Sequence, residues 1–326
     1  MSEAKETNSG DKQPQVIQSQ QPLPEGTVMT KDVAASWQKK SRAGRTLRWA
    51  RNVLLFAAGT LALILLDNNF SLSPTSRQAF TLQLERSIHL STDWLAASPQ
   101  EDNPALVYMI ADMAEMSGEI RLRRIVDGYL KMPIESSSVW RHQVDGTTQV
   151  RPVSRKELES YGEYQRWIAY GVAPHQVPLT NSERSNMFSA NKYYWGRRTH
   201  QLFALLMYRK HGEVSEAIDQ LINHLCERIA FEADLDFRVT DLYLQRIAFL
   251  LAAGRPDLVK RRWVERIVAK QEQNGGWIVS WHGWGPGLFE INFGEQKPNS
   301  HATVQGTWIL YMLKYRYPGW IEQNYK

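Results

Sequence analysis

Three side chains suited to acid/base chemistry stand near the starts of apolar helices predicted in the C-terminal half. They are His200, Asp241 and His301. In a layered helical fold the starts of the inner helices share one rim, so we expect these three side chains to converge at the mouth of a central cavity. A tuned carboxylate or imidazole there is suited to act as a general base. The alternative is that the polar residues only cap helices and that each histidine is hydrogen-bonded locally.

The same three residues are also an acceptable zinc-ligand set. The sequence has no His-Glu-x-x-His or Cys-x-x-Cys spacing to support a zinc site. It also has no phosphate-binding glycine loop and no serine nucleophile elbow. We therefore expect neither a metal nor a cofactor, and an acid/base reaction rather than a redox one.

An aromatic, glycine-rich loop follows Trp277 and contains Trp281, His282, Trp284 and Glu290. Partly exposed indole faces stack on sugar rings or cover apolar chains. We expect Trp281, His282 and Trp284 to bind a substrate and Glu290 to join the acid/base groups. The alternative is that the loop's aromatic side chains fill the centre of the fold, and for Trp277 we expect packing.

A second aromatic and basic loop precedes the His200 helix and includes Tyr194 and Arg198. Its position on the same predicted rim makes both residues candidates for substrate binding. The arginine could pair with an acidic sugar or a lipid phosphate. Amphipathic packing is the alternative.

From Ser76 onward the spacing of apolar residues is helical, so we predict an all-α domain. Some predicted helices are apolar on all sides and others carry charge on one face, as expected of inner and outer helices. Five or six such hairpins would form an α/α toroid, and an open helical solenoid is the alternative. Residues 135–155 read as an irregular insertion. The predicted helices are 77–97, 104–116, 120–132, 155–169, 199–211, 214–231, 240–253, 257–272 and 302–316.

The segment Gln271-x-x-x-Gly275-x-Trp277 resembles the QW repeat of squalene-hopene cyclases and of related terpenoid cyclase and protein prenyltransferase toroids. His301-Ala-Thr303, which enters an apolar helix, resembles a repeat start of the same family. The resemblance covers roughly the last seventy residues and implies a ring of helical hairpins. The repeat usually has an aromatic residue where this chain has Arg266, and the family's Asp-x-Asp-Asp acid motif does not occur. Polyene cyclisation is therefore the last-ranked function.

The N-terminal region predicts a membrane anchor. Val53–Leu66 contains no charge, and six basic residues lie just before it, which matches the positive-inside rule. A cleaved signal peptide and a buried core helix are the alternatives. We predict a disordered basic cytoplasmic tail over 1–48, a single-pass signal anchor over 49–70 and an extracytoplasmic helical toroid over 74–326. The membrane would be the inner one, with the C-terminal domain in the periplasm.

The charge balance argues against nucleic acid. The chain carries a net charge of +5, and its first 52 residues hold nine Lys or Arg against five Asp or Glu. The remainder is therefore nearly neutral. The single cysteine, Cys226, lies in an apolar helical stretch and is expected to be packed.

Two functions remain open. The first is recognition or processing of an envelope glycan or an isoprenoid-linked glycan at the membrane surface. The second is a non-enzymatic scaffold or accessory subunit that docks a protein partner of a membrane complex. An enzyme needs titratable groups in a wet concave pocket, whereas a scaffold would fill that pocket with apolar side chains.

Overall fold

The computed structural model describes residues 31–71, 75–133, 137–190, 198–212, 214–278 and 297–326, with side chains from residue 46 onward. It divides into two compact units, Met1–Ala58 and Gly59–Lys326. Over the described residues the fold is all-helical and contains no strand, which confirms the predicted class. The α-helices are α1 Lys31–Asn69, α2 Arg77–Ala97, α3 Pro104–Ser117, α4 Ile120–Leu130, α5 Val139–Val144, α6 Arg155–Glu159, α7 Glu163–Val172, α8 Asn181–Met187, α9 Arg198–His211, α10 Glu216–Leu235, α11 Asp241–Ala252, α12 Arg261–Ala269, α13 Ser300–Tyr311 and α14 Pro318–Asn324.

Helix α1 contains the apolar segment. Within it, Thr46–Asn69 is long and apolar enough to cross a membrane. Large apolar side chains such as Leu54, Leu55 and Phe56 are exposed there, as expected of a helix that contacts lipid. The helix begins at Lys31, inside the region whose composition predicts disorder.

Six helices of the second unit contact one another in a closed order, meaning that each contacts two of the others and the series of contacts returns to its first helix. α9 contacts α7 and α11, α13 contacts α11 and α3, and α5 contacts α3 and α7. Other helices cover them: α2 packs on α13, α4 on α3, and α10 on both α9 and α11. In α13 every residue from Ala302 to Tyr311 is buried. A helix buried on all sides belongs to an inner layer.

Short capping signals set several helix ends where the sequence predicts them. The Ser76 side chain accepts from the backbone N–H of Ala79 at the start of α2. Asn103 caps α3 ahead of Pro104, whose fixed φ suits a first helical position. Gly118 ends α3 with a φ of 72°, in the left-handed region that glycine adopts without strain.

Residues 137–190 depart from the predicted pattern. The predicted helix 155–169 is two helices, α6 and α7, and the second begins after Gly162, whose N–H donates to Gln165 Oε1 at 2.7 Å. α8 was not predicted; Thr180 and Glu183 cap it reciprocally. α5 lies inside the predicted irregular insertion. Helices of five to seven residues are too short to show a 3.6-residue repeat.

The Gln271–Trp277 turn holds neighbouring helices together. Gln271 Nε2 donates to the carbonyl oxygens of Ser87 and Gly275, each at 2.9 Å, and so joins the end of α12 to α2. Gly275 has a φ of 95°, and a Cβ there would lie 2.2 Å from the Leu90 carbonyl oxygen. Trp277 is buried and donates from Nε1 to the Ile267 carbonyl at 2.8 Å.

The last turn of α1 is fixed to the second unit by Asn68, which is buried. Its Nδ2 donates to the carbonyl oxygens of Ala233 and Asp234, each at 3.0 Å. Its Oδ1 accepts from the Tyr243 hydroxyl at 3.2 Å and from Arg266 Nη1. The amide therefore has partners for both of its polar atoms.

The two residues beside Asn68 add further contacts. Asn69 Oδ1 accepts from Trp263 Nε1 and from Lys260 Nζ, each at 3.1 Å. Asp67 pairs with Arg262 at 2.8 Å. Since three consecutive residues of α1 bond to the last turn of α10, to α11 and to the start of α12, this turn is an integral part of the second unit.

Candidate functional site

A cavity of about 330 Å³ opens among the first turns of helices that form the closed order. α3, α5, α7, α9, α11 and α13 all contribute to it. The lining residues are Asn103, Pro104, Ala105, Leu106, Met109, Trp140, Gln143, Tyr164, Gln165, Ile168, His200, Phe203, Gln245, Phe249, His301 and Gln305. Among these described residues none is Lys, Arg, Asp or Glu. The wall is thus made of aromatic rings, amides, two imidazoles and apolar side chains such as Leu106, Met109 and Ile168.

His301 and Asp241 form a hydrogen-bonded pair at this cavity. His301 lies in the first turn of α13 and Asp241 begins α11, and His301 Nδ1 is 2.5 Å from Asp241 Oδ1. The side chains are 38% and 27% exposed, so both remain within reach of solvent. A carboxylate beside Nδ1 holds the proton on that nitrogen, and Nε2 is then the atom that exchanges a proton.

The charge of Asp241 also changes the acidity of the imidazole. Burial of His301 disfavours the imidazolium form, but the hydrogen bond to Asp241 and its negative charge outweigh burial and raise the pKa of His301. The ring is therefore protonated over a wider pH range than an isolated histidine. A histidine held in this way can donate or accept a proton near neutral pH.

Three buried glutamines line the same cavity, and two of them have amide atoms without a partner among the described residues. Gln305 is one turn after His301 on α13, and its Nε2 lies 3.4 Å from His301 Nε2, the ring nitrogen that can accept a hydrogen bond when Nδ1 carries the proton. Its Oε1 has no hydrogen-bond partner among the described residues. Gln143, on α5, is 1% exposed, and neither its Nε2 nor its Oε1 has a partner among those residues. Buried amides normally have partners, so these atoms point to a role at the cavity.

Aromatic rings form one side of the opening and its floor. Tyr164 packs against His200 with ring centroids 4.4 Å apart. Deeper in, Phe203 stacks on Phe249 at 5.0 Å, and Phe249 meets the ring of Trp308 edge-on at 6.1 Å. The centre of the second unit is thus closed by aromatic side chains, while the opening above them remains polar.

A second cavity, of about 190 Å³, lies towards the other ends of these helices and has a different character. Its lining includes Arg209, Lys210, Arg316 and Asp112. Asp112 accepts from Trp308 Nε1 at 2.6 Å and pairs with Arg316 at 2.7 Å. Its cations lie in the last turns of their helices, where they stabilise the carbonyl ends. The second cavity has charged side chains in its lining and the first has no Lys, Arg, Asp or Glu among its described lining residues. The first cavity is therefore better suited to an uncharged ligand.

His142, the residue before Gln143, forms a pair of imidazoles with a histidine of another helix. His142, on α5, and His211, at the end of α9, have ring centroids 5.0 Å apart. Burial, then the charges of His142 and Lys210, lower the pKa of His211 to about 4. His211 is therefore neutral at neutral pH.

The sequence-predicted residues fall into three groups. Asp241 and His301 are in direct contact, and His200 lines the same cavity against Tyr164. Arg198 is buried in the first turn of α9, where its Nη1 lies 2.8 Å from Glu232 in an internal ion network. Tyr194, Trp281, His282, Trp284 and Glu290 lie outside the described residues.

Sequence reasoning missed Gln143, Gln305, Trp140 and Tyr164, which all line the cavity. Gln305 had a signal, because residues four apart on a helix share a face and His301 was already singled out. Trp140 and Gln143 lie on α5, inside the predicted irregular insertion, and Tyr164 lies on α7, within the predicted helix 155–169, for which no site residue was predicted. In the parts of the chain that the structure describes, no group of three or more His, Cys, Asp or Glu is placed to hold a metal ion.

Comparison of the chain with protein-family models, with curated proteins and with solved structures found no match.

Proposed function

We propose that this chain is a membrane-anchored, extracytoplasmic α/α-toroid protein that recognises or processes an envelope glycan or an isoprenoid-linked glycan by acid/base chemistry. The observation that carries the proposal is the His301–Asp241 pair at a cavity whose described lining combines amides and aromatic rings with no formal charge. Sugars are recognised by such a combination, since their hydroxyls need hydrogen bonds and their ring faces stack on aromatic groups.

The closed order of contacts among α3, α5, α7, α9, α11 and α13 supports the toroid. An open solenoid has two end repeats that lack one neighbour, whereas each of these six helices has two. The terpenoid cyclase-like arrangement inferred from the Gln271–Trp277 segment belongs to this proposal. The repeat supplies the architecture, and the cavity supplies a different chemistry.

The apolar helix supports the location. The basic residues before Val53 would stay in the cytoplasm, which puts the cavity outside the inner membrane. Because Asn68 bonds to Tyr243, two residues after Asp241, the end of the apolar helix lies near the first turn of α11. A glycan on a lipid carrier would then be close to the cavity.

His301 is the proton-transfer group in this proposal and Asp241 is the residue that orients it. His301 Nε2 exchanges a proton with the ligand or with a water molecule, and Asp241 stabilises the imidazolium that forms. Gln143 and Gln305 bind polar groups of the ligand, and Trp140 and Tyr164 offer ring faces. The open polar cavity is the feature that favours a ligand-binding protein over a scaffold.

The test uses the full chain in lipid nanodiscs, with no sugar-based detergent that could occupy the site. The probes are labelled oligosaccharides of hexoses and of N-acetylhexosamines, two to six residues long. We expect saturation-transfer NMR to detect binding and His301→Gln to weaken it or to abolish any release of new reducing ends.

The matched control is His89→Gln, because His89 also pairs with an aspartate, Asp93, at 2.8 Å. That pair is exposed on α2. The control should leave binding unchanged. If none of the oligosaccharides binds the wild-type chain, or if the two variants behave alike, the proposal is wrong.

A further inference from the structure

Gln143 lines the cavity and takes no part in the proton transfer proposed for His301 and Asp241. It lies on α5, which contacts α3 and α7. Both polar atoms of its amide lack a hydrogen-bond partner among the described residues, so the observation does not depend on which atom is assigned as nitrogen. Leaving a buried amide without partners is costly, and the same space would accept an apolar side chain at no such cost.

The helices that α5 contacts also contribute apolar side chains to the lining. Leu106 and Met109 come from α3 and Ile168 from α7. Gln143 therefore offers one hydrogen-bond acceptor and a donor group in a cavity whose lining also includes apolar side chains that can contact a small apolar group. Two other amides of the cavity have their oxygens engaged: Gln165 Oε1 accepts from Gly162, and Gln245 Oε1 accepts from Thr199.

We propose that Gln143 forms a subsite for the acetamido group of an N-acetylated amino sugar. A secondary amide has one N–H and one C=O, which match the acceptor and donor of a primary amide through two hydrogen bonds. Its methyl group would contact the apolar wall. This inference rests on the proposed glycan function and narrows it from glycans in general to acetamido sugars.

Other ligand groups match this arrangement less well. A carboxylate only accepts hydrogen bonds, so one of its oxygens would face the Gln143 oxygen. An ammonium group only donates and would be buried without a carboxylate, since none of the described lining residues is acidic. A sugar hydroxyl can bond to Gln143, but it leaves the apolar wall without a methyl group.

The test compares trimers that differ at one position of each sugar. The probes are the β-1,4-linked trimers of N-acetylglucosamine, glucose and glucosamine, titrated into the full chain in nanodiscs by calorimetry or NMR. Two buried hydrogen bonds and a methyl contact should favour the acetylated trimer by about tenfold or more. Gln143→Leu should remove that preference.

The control variant is Gln201→Leu. Gln201 is also a buried glutamine of an inner helix, but its Nε2 donates to the carbonyl oxygens of Met187 and Ser189, at 2.8 and 2.9 Å. Gln201→Leu should therefore lower the melting temperature and keep the preference for the acetylated trimer. Gln143→Leu should keep or raise the melting temperature, because it removes two unpartnered polar atoms.

The outcomes separate the two proposals. Equal binding of the three trimers would overturn the acetamido subsite and leave the glycan function standing. That result is expected if the Gln143 amide binds only water molecules. A preference that survives Gln143→Leu would also overturn the subsite. Absence of binding by all three trimers, together with negative results for the longer oligosaccharides, would overturn the glycan function itself.

Discussion

The contact between Gly306 and Trp277 tests whether the Gln271–Trp277 segment serves packing. Gly306 lies in α13 directly beneath the indole. A Cβ at this position would lie 2.8 to 3.1 Å from three carbon atoms of the Trp277 ring. Carbon atoms pack best at about 3.5 to 4.0 Å, so the substitution Gly306→Ala forces an overlap of roughly half an ångström or more.

The ring has little freedom to move away. Trp277 Nε1 is hydrogen-bonded to Ile267, and the backbone N–H of Trp277 donates to Thr303 Oγ1 at 3.0 Å. Overpacking of this kind costs about 1–3 kcal/mol. The alanine also gains about 0.5–1 kcal/mol over glycine inside a helix. We therefore expect Gly306→Ala to lower the free energy of unfolding by about 1 kcal/mol.

The effect of Gly306→Ala on the free energy of unfolding should change sign when the Trp277 ring is removed. In a Trp277→Leu background, Gly306→Ala should raise the free energy of unfolding by about 0.5–1 kcal/mol, because only the helix-propensity gain remains. The coupling between the two sites would then be about 2 kcal/mol, measured by urea unfolding followed by far-UV circular dichroism. Gly128→Ala is the control, since the nearest atoms to its added Cβ belong to the exposed, flexible side chain of Gln100. If Gly306→Ala has the same effect in both backgrounds, the packing argument is wrong.

Three further predictions concern charge. Asp241→Asn should lower the pKa of His301, seen as a shift of its ring NMR titration to lower pH, and an unchanged titration would refute the pairing. Acidification from pH 6.5 to 4 should destabilise the fold, because the unfolded chain takes up a proton at His211 before the folded chain does. The loss is at most about 3 kcal/mol, less with solvent screening, and His211→Gln should reduce this slope in urea midpoints measured against pH. Arg246→Met should cost about 3–5 kcal/mol in urea unfolding because it leaves Glu232 and Asp236 buried with fewer cationic partners, and a loss below about 1 kcal/mol would refute that role.

Sequence patterns were sufficient to predict helices whose ends are determined by residues close in the sequence. Helix α2 has the predicted bounds, and α3 begins at Pro104, where the predicted helix 104–116 begins. The His301–Asp241 contact was also accessible, because both residues stand at the starts of helices that are buried on nearly all sides and neighbouring helix starts meet on one rim. The predicted helix over 257–272 is shorter, since a 3₁₀ turn at Pro256–Leu258 precedes α12.

The part of the cavity formed by α5 depends on contacts outside that helix. α5 has six residues, and the Arg141 side chain fixes it through hydrogen bonds to the carbonyl oxygens of Leu130 and Met132. Helices this short form only when tertiary contacts stabilise them, so no local repeat marks them. Gln143 was missed for that reason. A polar residue without a partner is recognisable only after its surroundings are known.

The buried Asn68 has a consequence for how this protein can be handled. Deleting the apolar helix to obtain a water-soluble domain would also remove Asn68. The Tyr243 hydroxyl would then lose its hydrogen-bond acceptor, and the buried Arg266 would lose one of its acceptors. Tyr243 lies in α11, the helix that carries Asp241, and the Arg266 guanidinium lies over the Tyr243 ring. A shortened chain that dissolves readily would therefore have a weakened wall beside its own cavity, and a loss of ligand binding in it would reflect the deletion as much as the absence of lipid.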